Sequence, residues 1–359
     1  MAEGLEGVIA AHTILSDVDG SAGRLVIRGY SLDQLAGRTR IAAAAHLLLD
    51  GFFDDLPDVA GLEARLGQAR VAVFARMTDT AGVPAGLNAV EAMRALLARL
   101  PDGDDLETAL RLLAGAAVFT AAVGRARQGL QPLAPDPALD HAADALRMLR
   151  GAPPSPAEAA ALDTYLVTVC DHGLNASTFA ARVTASTLAG LTSAVLSGVS
   201  TLKGPLHGGA PGPVIEMLNA IGDIQNARPW LEQALARGDR LMGFGHRIYR
   251  VRDPRADALK RAARTLTPDA GRLAFAEAVE QAALAILRDH KPERSLQTNV
   301  EFYTALLLEA LGFHPEDFTN VFAMGRTLGW LAHAREQVAG GRLIRPASVY
   351  VGPAPQIAA

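Results

Sequence analysis

Residues 182–203, RVTASTLAGLTSAVLSGVSTLK, decide between two kinds of fold. The twenty internal residues carry no charge, and that length is enough to span a lipid bilayer. Eight of the twenty are Ser or Thr and two are Gly, however, and such small side chains allow close packing between neighbouring helices in a protein core. We therefore expect one buried helix of a large core here, and not a membrane span.

The composition of the whole chain is that of a soluble globular protein. Half of the 359 residues are hydrophobic and 20% are charged, and the length predicts roughly two domains. Lys plus Arg number 34 and Asp plus Glu 38, which gives a net charge of −4. This balance argues against nucleic acid as the main partner, although it leaves room for a local basic pocket that binds a phosphorylated ligand.

Cysteine usage and the N-terminus indicate a cytoplasmic location. The single Cys170 excludes an intrachain disulfide and suits a reducing compartment. It lies in an apolar run, so we expect a buried, inert thiol and not a nucleophile. The opening MAEGLEGVIA lacks the basic and apolar regions of a secretory signal.

Helical patterns dominate, and we predict an all-α fold with a minor N-terminal β-hairpin. Turn residues around the short apolar run 25–27 indicate the hairpin, and Ser31 with Gln34 predicts a capping box that opens a helix. Residues 275–287 repeat apolar side chains with the period of an amphipathic helix. Ala-rich and Leu-rich runs that predict further helices cover 40–50, 59–75, 87–99 and 105–125.

Proline and glycine breaks suggest two domains. The Pro-Gly-Pro sequence at 211–213 forms a sharp break that could act as a hinge between domains. The Leu-Gly turn at 311–312 could be the second hinge, where the chain passes back into the first domain. We therefore predict a small helical domain at 212–312, inserted into a large helical domain made of 1–211 and 313–359.

Three of the nine histidines stand in unusual settings. His207 lies in KGPLHGGA and His246 in MGFGHR, where glycines let the backbone approach a ligand closely. His172 lies in DHGLNAST, just before a predicted helix. A structural glycine turn would explain any one of them, but three within 75 residues favour a functional site.

The other histidines are expected to be ordinary surface or core residues. They are His12, His46, His141, His290, His314 and His333. The sequence has neither a His-x-x-x-His pair nor a cysteine cluster, so nothing in it indicates a zinc site.

Arginines accompany the three histidines. Four follow His246 closely: Arg247, Arg250, Arg252 and Arg255. We expect Arg252 at a solvated helix start, whereas the fixed Asp253-Pro254 turn could aim Arg255 inward. Arg326 lies in an apolar run, where arginine is rarely buried without an anionic partner. Because a guanidinium binds carboxylates bidentately, this set suits a small polycarboxylate.

Glu301 is a lone acid that opens an apolar helix. Such an acid often does no more than interact favourably with the positive end of the helix macrodipole. A general base is the alternative, and the residues alone leave both open.

Together these segments resemble the citrate synthase family, in its compact dimeric type. The matching segments are GLEGV (4–8), GRLVIRGY (23–30), DH (171–172), GPLHGG (204–209), GFGHR (243–247), DPRA (253–256), NVEFY (299–303), RP (345–346) and YVGP (350–353). The GPLHGG and GFGHR pair, in this order and about forty residues apart, is highly specific.

The resemblance implies a large and a smaller helical domain with a cleft between them, in a homodimer where each subunit donates Arg345 to the partner site. The implied reaction condenses acetyl-CoA with oxaloacetate and hydrolyses citryl-CoA to citrate and CoA, a step of the tricarboxylic acid cycle. Acetyl-CoA is a substrate, so the resemblance implies no cofactor and no metal. Neither nucleic acid nor a membrane is expected as a partner.

The resemblance also implies roles for single residues. Glu301 would take a proton from the acetyl methyl group, His207 would hydrogen-bond the thioester carbonyl, and His246 would polarise the oxaloacetate carbonyl. The residues implied to bind oxaloacetate are His172, His246, Arg255, Phe322, Arg326 and Arg345. Those implied to bind CoA are Met242, Gly243, Phe244, Gly245, Arg250 and Asn299.

Some positions depart from the family's usual residues. Glu301 replaces an Asp, Thr298 stands where Pro is common, Gly173 replaces a Glu, and the Pro-Gly at 211–212 replaces Asn-Glu. Three hypotheses therefore stay open: a citrate synthase, a 2-methylcitrate synthase that uses propionyl-CoA, and a ligand-binding paralogue that has lost efficient chemistry. Only Glu301 supports the third, and a pocket discriminates one methylene by only about 1–3 kcal/mol.

Overall fold

Helices make up most of the structure, a computed structural model that describes residues 4–5, 7–80, 82–208, 211–246, 248–249, 251–266, 271–290 and 296–354. In chain order the helices are α1 (Leu32–Leu35), α2 (Ile41–Leu49), α3 (Val59–Asp79), α4 (Ala89–Leu97), α5 (Leu106–Arg127), α6 (His141–Arg150), α7 (Pro156–Val169), α8 (Ala176–Ala185), α9 (Leu191–Leu202), α10 (Pro211–Ile221), α11 (Ile224–Ala236), α12 (Pro254–Leu266), α13 (Gly271–His290), α14 (Val300–Ala310) and α15 (Phe318–Gly340). A short 3-10 helix, Pro315–Asp317, precedes α15. The predicted all-α fold is confirmed, and so are the helices expected at 40–50, 59–75, 87–99, 105–125 and 275–287.

The predicted N-terminal hairpin is confirmed and gains a third strand. Strands β1 (Ser16–Asp19), β2 (Arg24–Ile27) and β3 (Tyr30–Ser31) pair antiparallel in that order. Leu25 and Ile27 point into the core, as the alternation of a half-buried strand requires. The capping box is present as well, because the Gln34 side chain accepts a hydrogen bond from the Ser31 N–H at 2.8 Å.

Helix α5 lies at the centre of the helical core. Among the described residues it is the one helix long and apolar enough to cross a membrane, judged by length and composition alone. Since 89% of its most apolar window is buried inside the protein, and since it packs against α3, α4, α6, α9 and α15, its apolar surface has protein neighbours.

The expectation of a single buried helix across 182–203 is wrong. Helix α8 ends at Ala185, α9 begins at Leu191, and Leu188 in the turn between them is 74% exposed. The chain leaves the helical conformation at Leu188, which adopts φ +62° in the left-handed region, and the Ser186 hydroxyl donates to the Val183 carbonyl at 2.6 Å in the last turn before it. The small side chains do allow close packing, but between α8 and α9 and against α15.

The Pro-Gly-Pro segment at 211–213 lies at the start of a helix, and its role as a hinge stays a prediction. The three residues form the first turn of α10, where proline is tolerated because its missing N–H would have no helical partner. The return turn is confirmed at Gly312, which adopts φ +81°. The inserted domain at 212–312 stays a prediction, and α12 within it packs on both α14 and α7.

Helix α15 passes through the core and touches the turn before His172. A side chain on Gly329 would place its Cβ 2.3 Å from the Cys170 carbonyl oxygen and 3.0 Å from Asp171 Oδ1. Contacts this short do not occur between real Cβ atoms and backbone, so only glycine allows α15 and this turn to lie so close.

We therefore expect Gly329→Ala to destabilise the fold by about 1–3 kcal/mol, because backbone cannot move aside as a flexible side chain can. The matched control is Gly340→Ala in the last turn of α15, where an added Cβ meets nothing within 4 Å. It should change stability by less than about 1 kcal/mol. Chemical denaturation followed by circular dichroism compares the two, and equal midpoints would contradict the close-contact argument.

Candidate active site

Two of the three histidine segments meet at one place in the fold. His172 lies in the turn between α7 and α8 and is 6% exposed. Its Nε2 lies 3.1 Å from the Tyr249 hydroxyl, and its ring centroid is 5.9 Å from that of His246, edge to face. The structure therefore brings together two histidines that are 74 positions apart in the sequence.

Backbone contacts fix the proton of His246. Its Nδ1 accepts hydrogen bonds from the N–H groups of Ile248 and Tyr249, each at 3.0 Å. Burial and the charge of Arg255 lower the pKa of His246 to about 4, so the ring is neutral near pH 7. A neutral ring with an accepting Nδ1 carries its hydrogen on Nε2.

The Nε2–H of His246 points at a second donor. Nη2 of Arg255 lies 3.1 Å from Nε2, and an arginine nitrogen has no lone pair to offer. Two donors this close repel each other, and the repulsion is relieved when one acceptor oxygen lies beside them within hydrogen-bond reach of both. A carboxylate or a ketone oxygen of a ligand fits this place.

Arg255 is held in position by Asp253. Its Nε and Nη2 donate to the two carboxylate oxygens of Asp253 at 3.0 and 2.8 Å, and both side chains are buried. Asp253 Oδ2 also accepts the N–H of Val300 at 3.2 Å, at the start of α14. The expectation that the Asp-Pro turn aims this guanidinium inward is therefore confirmed, and the same carboxylate ties Arg255 to the helix that carries Glu301.

Arg326 provides a second buried cation. It is 1% exposed, its Nε donates to the Val169 carbonyl at 2.6 Å, and its guanidinium carbon lies 5.0 Å from the centroid of the Phe322 ring. Its buried Nη2 has no hydrogen-bond partner within the described ranges. Burial lowers the pKa of Arg326 to about 10, so it remains charged at neutral pH, and an anionic ligand would supply the missing partner.

Burial and the charges of both arginines keep His172 neutral. Burial comes first, and then the charges of Arg255 and Arg326 lower the pKa of His172 well below its ordinary value. Two cations and two neutral imidazoles thus surround one place, which is the donor set expected for a dianion.

The third histidine is held by a hydroxyl. His207 lies between α9 and α10, and its Nε2 is 2.8 Å from the hydroxyl oxygen of Ser177, in the first turn of α8. Trp330 donates to the same oxygen at 3.2 Å, and Asn175 Oδ1 lies 2.8 Å from it. Burial, then Arg326, lowers the pKa of His207 to about 4.

Ser177 has one hydroxyl proton and two acceptors within reach. Asn175 Oδ1 already accepts the backbone N–H groups of Ser177 and Thr178. When the hydroxyl donates to His207 Nε2, the neutral ring carries its own hydrogen on Nδ1. That N–H is then available to a ligand carbonyl.

Glu301 lies in the first turn of α14, where the Asn299 side chain accepts its N–H at 3.0 Å. Its carboxylate makes no hydrogen bond or ion pair to any other described residue. Burial raises its pKa to about 7, although the positive charge of Arg255 opposes the rise. Since a catalytic base works best with a pKa near the operating pH, the environment favours the base interpretation over a mere helix-end acid.

A short backbone ladder joins the loop of His246 to the loop of Glu301. The Asn299 N–H donates to Gly243 O at 2.9 Å, Gly245 N–H donates to Gln297 O at 2.7 Å, and the Asn299 side chain donates to Gly245 O at 2.8 Å. Gly243 adopts φ +85°, and a Cβ there would lie 2.8 Å from the Phe302 ring. Glycine is required for this close approach.

The remaining predicted residues are distributed as follows. Phe322 lies against Arg326, whereas Met242 and Phe244 are partly buried and pack on the core beside the ladder. Arg250 lies outside the described residues. Arg345 is exposed beyond α15, and the neighbouring Ile344 N–H bonds Ser186 at the C-terminal end of α8, opposite the end that carries Ser177. Arg345 makes no hydrogen bond or ion pair to any described residue of the site in its own chain.

Sequence reasoning missed several residues that hold the site. Tyr249, Ser177 and Trp330 carry no motif of their own, and their hydrogen bonds appear only in the folded chain. The expectation of a solvated Arg252 is wrong in part, because it pairs with Asp257 at 2.5 Å and with the wholly buried Glu280 at 3.2 Å. Within the described ranges, no group of three or more His, Cys, Asp or Glu residues could hold a metal ion.

Comparisons with known proteins agree with this geometry. The family model for the citrate synthase C-terminal domain matches residues 4–347. A citrate synthase of Synechocystis is 36% identical, covering 98% of this chain and 90% of the relative, and one of Haloferax volcanii is 39% identical, covering 97% and 95%. A ternary complex of Thermoplasma acidophilum citrate synthase with carboxymethyl coenzyme A and oxaloacetate superposes with a TM-score of 0.86 at 28% identity, over 100% of this chain and 98% of that one. Since the family model and these relatives span almost its whole length, the chain belongs to the citrate synthase family.

Proposed function

We propose that this chain condenses acetyl-CoA with oxaloacetate and hydrolyses the citryl-CoA thioester with water, releasing citrate and CoA. The observation that carries the proposal is the convergence of the His246 Nε2–H and Arg255 Nη2 within 3.1 Å, beside the buried and charged Arg326. Such a cluster of fixed donors suits the carboxylate and ketone oxygens of oxaloacetate. Relatives named citrate synthase and the Thermoplasma complex support the same assignment.

Carbon–carbon bond formation needs an acetyl carbanion equivalent. Glu301 removes a proton from the acetyl methyl group, while the Nδ1–H of His207 stabilises the enol oxygen that forms from the thioester carbonyl. The enol carbon then attacks the ketone carbon of oxaloacetate. The Nε2–H of His246 donates to the ketone oxygen, where negative charge develops. The former ketone oxygen takes up one proton and becomes the citrate hydroxyl, which balances the proton that Glu301 removed from the methyl group. Water finally adds to the thioester carbonyl and the carbon–sulfur bond breaks; the oxygen of the water stays in the new carboxyl group, and one of its protons goes to the sulfur as CoA leaves.

The remaining roles are binding roles. His172, Arg255 and Arg326 hold the oxaloacetate carboxylates, Phe322 forms a wall beside Arg326, and Arg345 reaches the site of the partner subunit in a homodimer. The CoA residues are Met242, Gly243, Phe244, Gly245, Arg250 and Asn299. We further propose a cytoplasmic enzyme that needs no cofactor or metal.

A first test measures free CoA release from acetyl-CoA, from propionyl-CoA and without acyl donor, each with oxaloacetate. We expect release from acetyl-CoA to be the fastest. Propionyl-CoA should be slower by about 10-fold or more, because accommodating one methylene costs about 1–3 kcal/mol. Faster release from propionyl-CoA would point to 2-methylcitrate synthase, and release no higher than the control without acyl donor would overturn the proposal.

The pH dependence should report Glu301. A base works in its ionised form, so kcat/KM should rise with pH and reach half its maximum near about pH 7, where burial places the pKa of Glu301. Glu301→Gln should lower kcat by about 100-fold or more and remove this rise. Glu301→Asp should lose about 10- to 100-fold, because its carboxylate is withdrawn by roughly 1 Å. Full activity in Glu301→Gln would exclude Glu301 as the base.

Mixed dimers test the donated arginine. Arg345→Ala and Glu301→Gln homodimers should each be nearly inactive, because every site lacks one group. After unfolding and joint refolding, half of the dimers are mixed and each has one intact site, so activity should recover to about a quarter of wild type. If Arg345 acted in its own subunit, mixing would restore nothing. Size-exclusion chromatography confirms that dimers have formed.

A further inference from the structure

Glu280 on α13 is a wholly buried carboxylate that the proposed reaction does not use. Its Oε1 accepts hydrogen bonds from Thr298 at 2.6 Å and Arg252 at 3.2 Å. Its Oε2 accepts from Tyr303 at 2.5 Å and Lys260 at 3.0 Å. A buried charge is costly unless partners satisfy it fully, and here four donors share two oxygens.

The four donors come from the segments that surround the site. Arg252 directly precedes Asp253, the residue that holds Arg255, and Lys260 belongs to α12. Burial alone would raise the pKa of Glu280, but the hydrogen bonds from Thr298, Tyr303 and Lys260 hold it below its ordinary value. Glu280 is therefore a permanent anion that joins these segments.

Two of the donors flank Glu301. Thr298 lies three residues before it and Tyr303 two residues after it, so both sides of the acid are tied to one carboxylate. Thr298 is linked to Glu280 through its side-chain hydroxyl. The backbone hydrogen bonds of the neighbouring ladder are made by Gln297 and Asn299 and not by Thr298. Loss of the hydrogen bond to Glu280 would leave the loop that precedes Glu301 attached to the ladder but no longer anchored to α13 through Thr298.

We propose that Glu280 is a positioning residue, which through Thr298 and Tyr303 fixes the carboxylate of Glu301 against the oxaloacetate clamp. This inference rests on the proposed role of Glu301. Because misplacing a catalytic group by about 1 Å can cost roughly 100-fold in rate, a residue that never touches substrate would still control kcat.

The test compares four variants by steady-state kinetics of CoA release. Glu280→Gln removes the charge at constant shape, and Thr298→Val removes the hydroxyl at nearly constant shape. Thr298→Ser restores the hydroxyl. The matched control is Glu277→Gln, one turn earlier on α13, since Glu277 pairs with Arg264 at 2.9 Å and Lys260 at 3.6 Å and makes no hydrogen bond to any described residue of 296–303.

A positioning role predicts a split between kcat and KM. Glu280→Gln and Thr298→Val should lose about 10- to 100-fold in kcat, while KM for oxaloacetate changes less than about 3-fold. Thr298→Ser should retain most of kcat, and Glu277→Gln should match wild type. Thermal unfolding establishes that each variant is folded at the assay temperature, and Thr298→Val decides the question if Glu280→Gln does not fold.

Two results would overturn the inference while leaving the proposed function intact. In one, the folded Thr298→Val and Glu280→Gln variants have the same kcat as the control variant Glu277→Gln. In the other, Thr298→Ser loses as much kcat as Thr298→Val does, which would show that the hydroxyl bond to Glu280 does not position Glu301. Wild-type protein that releases no CoA would overturn the proposed function, and the inference with it.

Discussion

The site depends on positive charge held in a dry helical core. Asp253 neutralises Arg255, but Arg326 has no ion pair within the described ranges and leaves one buried N–H without a partner. Holding a guanidinium in this state costs free energy that the surrounding helices must offset. Its position requires α15 to cross the core and α7 to present the Val169 carbonyl. The imidazoles are neutral first because burial disfavours the protonated ring and then because the neighbouring cations lower the pKa of His172 and His207 further.

Fixed protons are the second consequence of this arrangement. Backbone N–H groups leave His246 one place for its hydrogen. When the Ser177 hydroxyl donates to His207 and not to Asn175, the opposite ring nitrogen of His207 carries the hydrogen and can donate it. Both histidines can then act as hydrogen-bond donors without ever becoming cations. Because the site already holds two arginines, neutral histidines supply directional hydrogen-bond donors without adding a positive charge that the arginines would repel.

Local patterns in the sequence predicted much of this protein, and tertiary contacts explain what they could not. The hairpin, the helical runs and the inward Arg255 follow from turn residues and periodicity, which are short-range signals. The break between α8 and α9 was missed because it depends on a left-handed Leu188, a conformation that an apolar composition does not reveal. Glu280 was missed because a single acid on an amphipathic helix looks like a solvent-facing residue until Thr298 and Tyr303 are placed beside it.

The central position of α5 has a consequence for how the chain is made. Helix α5 is complete at Arg127, but α15, which covers part of it, begins only at Phe318. At about 5–20 residues per second, translation of the intervening segment takes roughly 10–40 s. During that interval a long apolar helix emerges from the ribosome before one of its covering helices exists. During this interval the contacts with α3 and α4, which precede α5 in the chain, can cover part of its apolar surface.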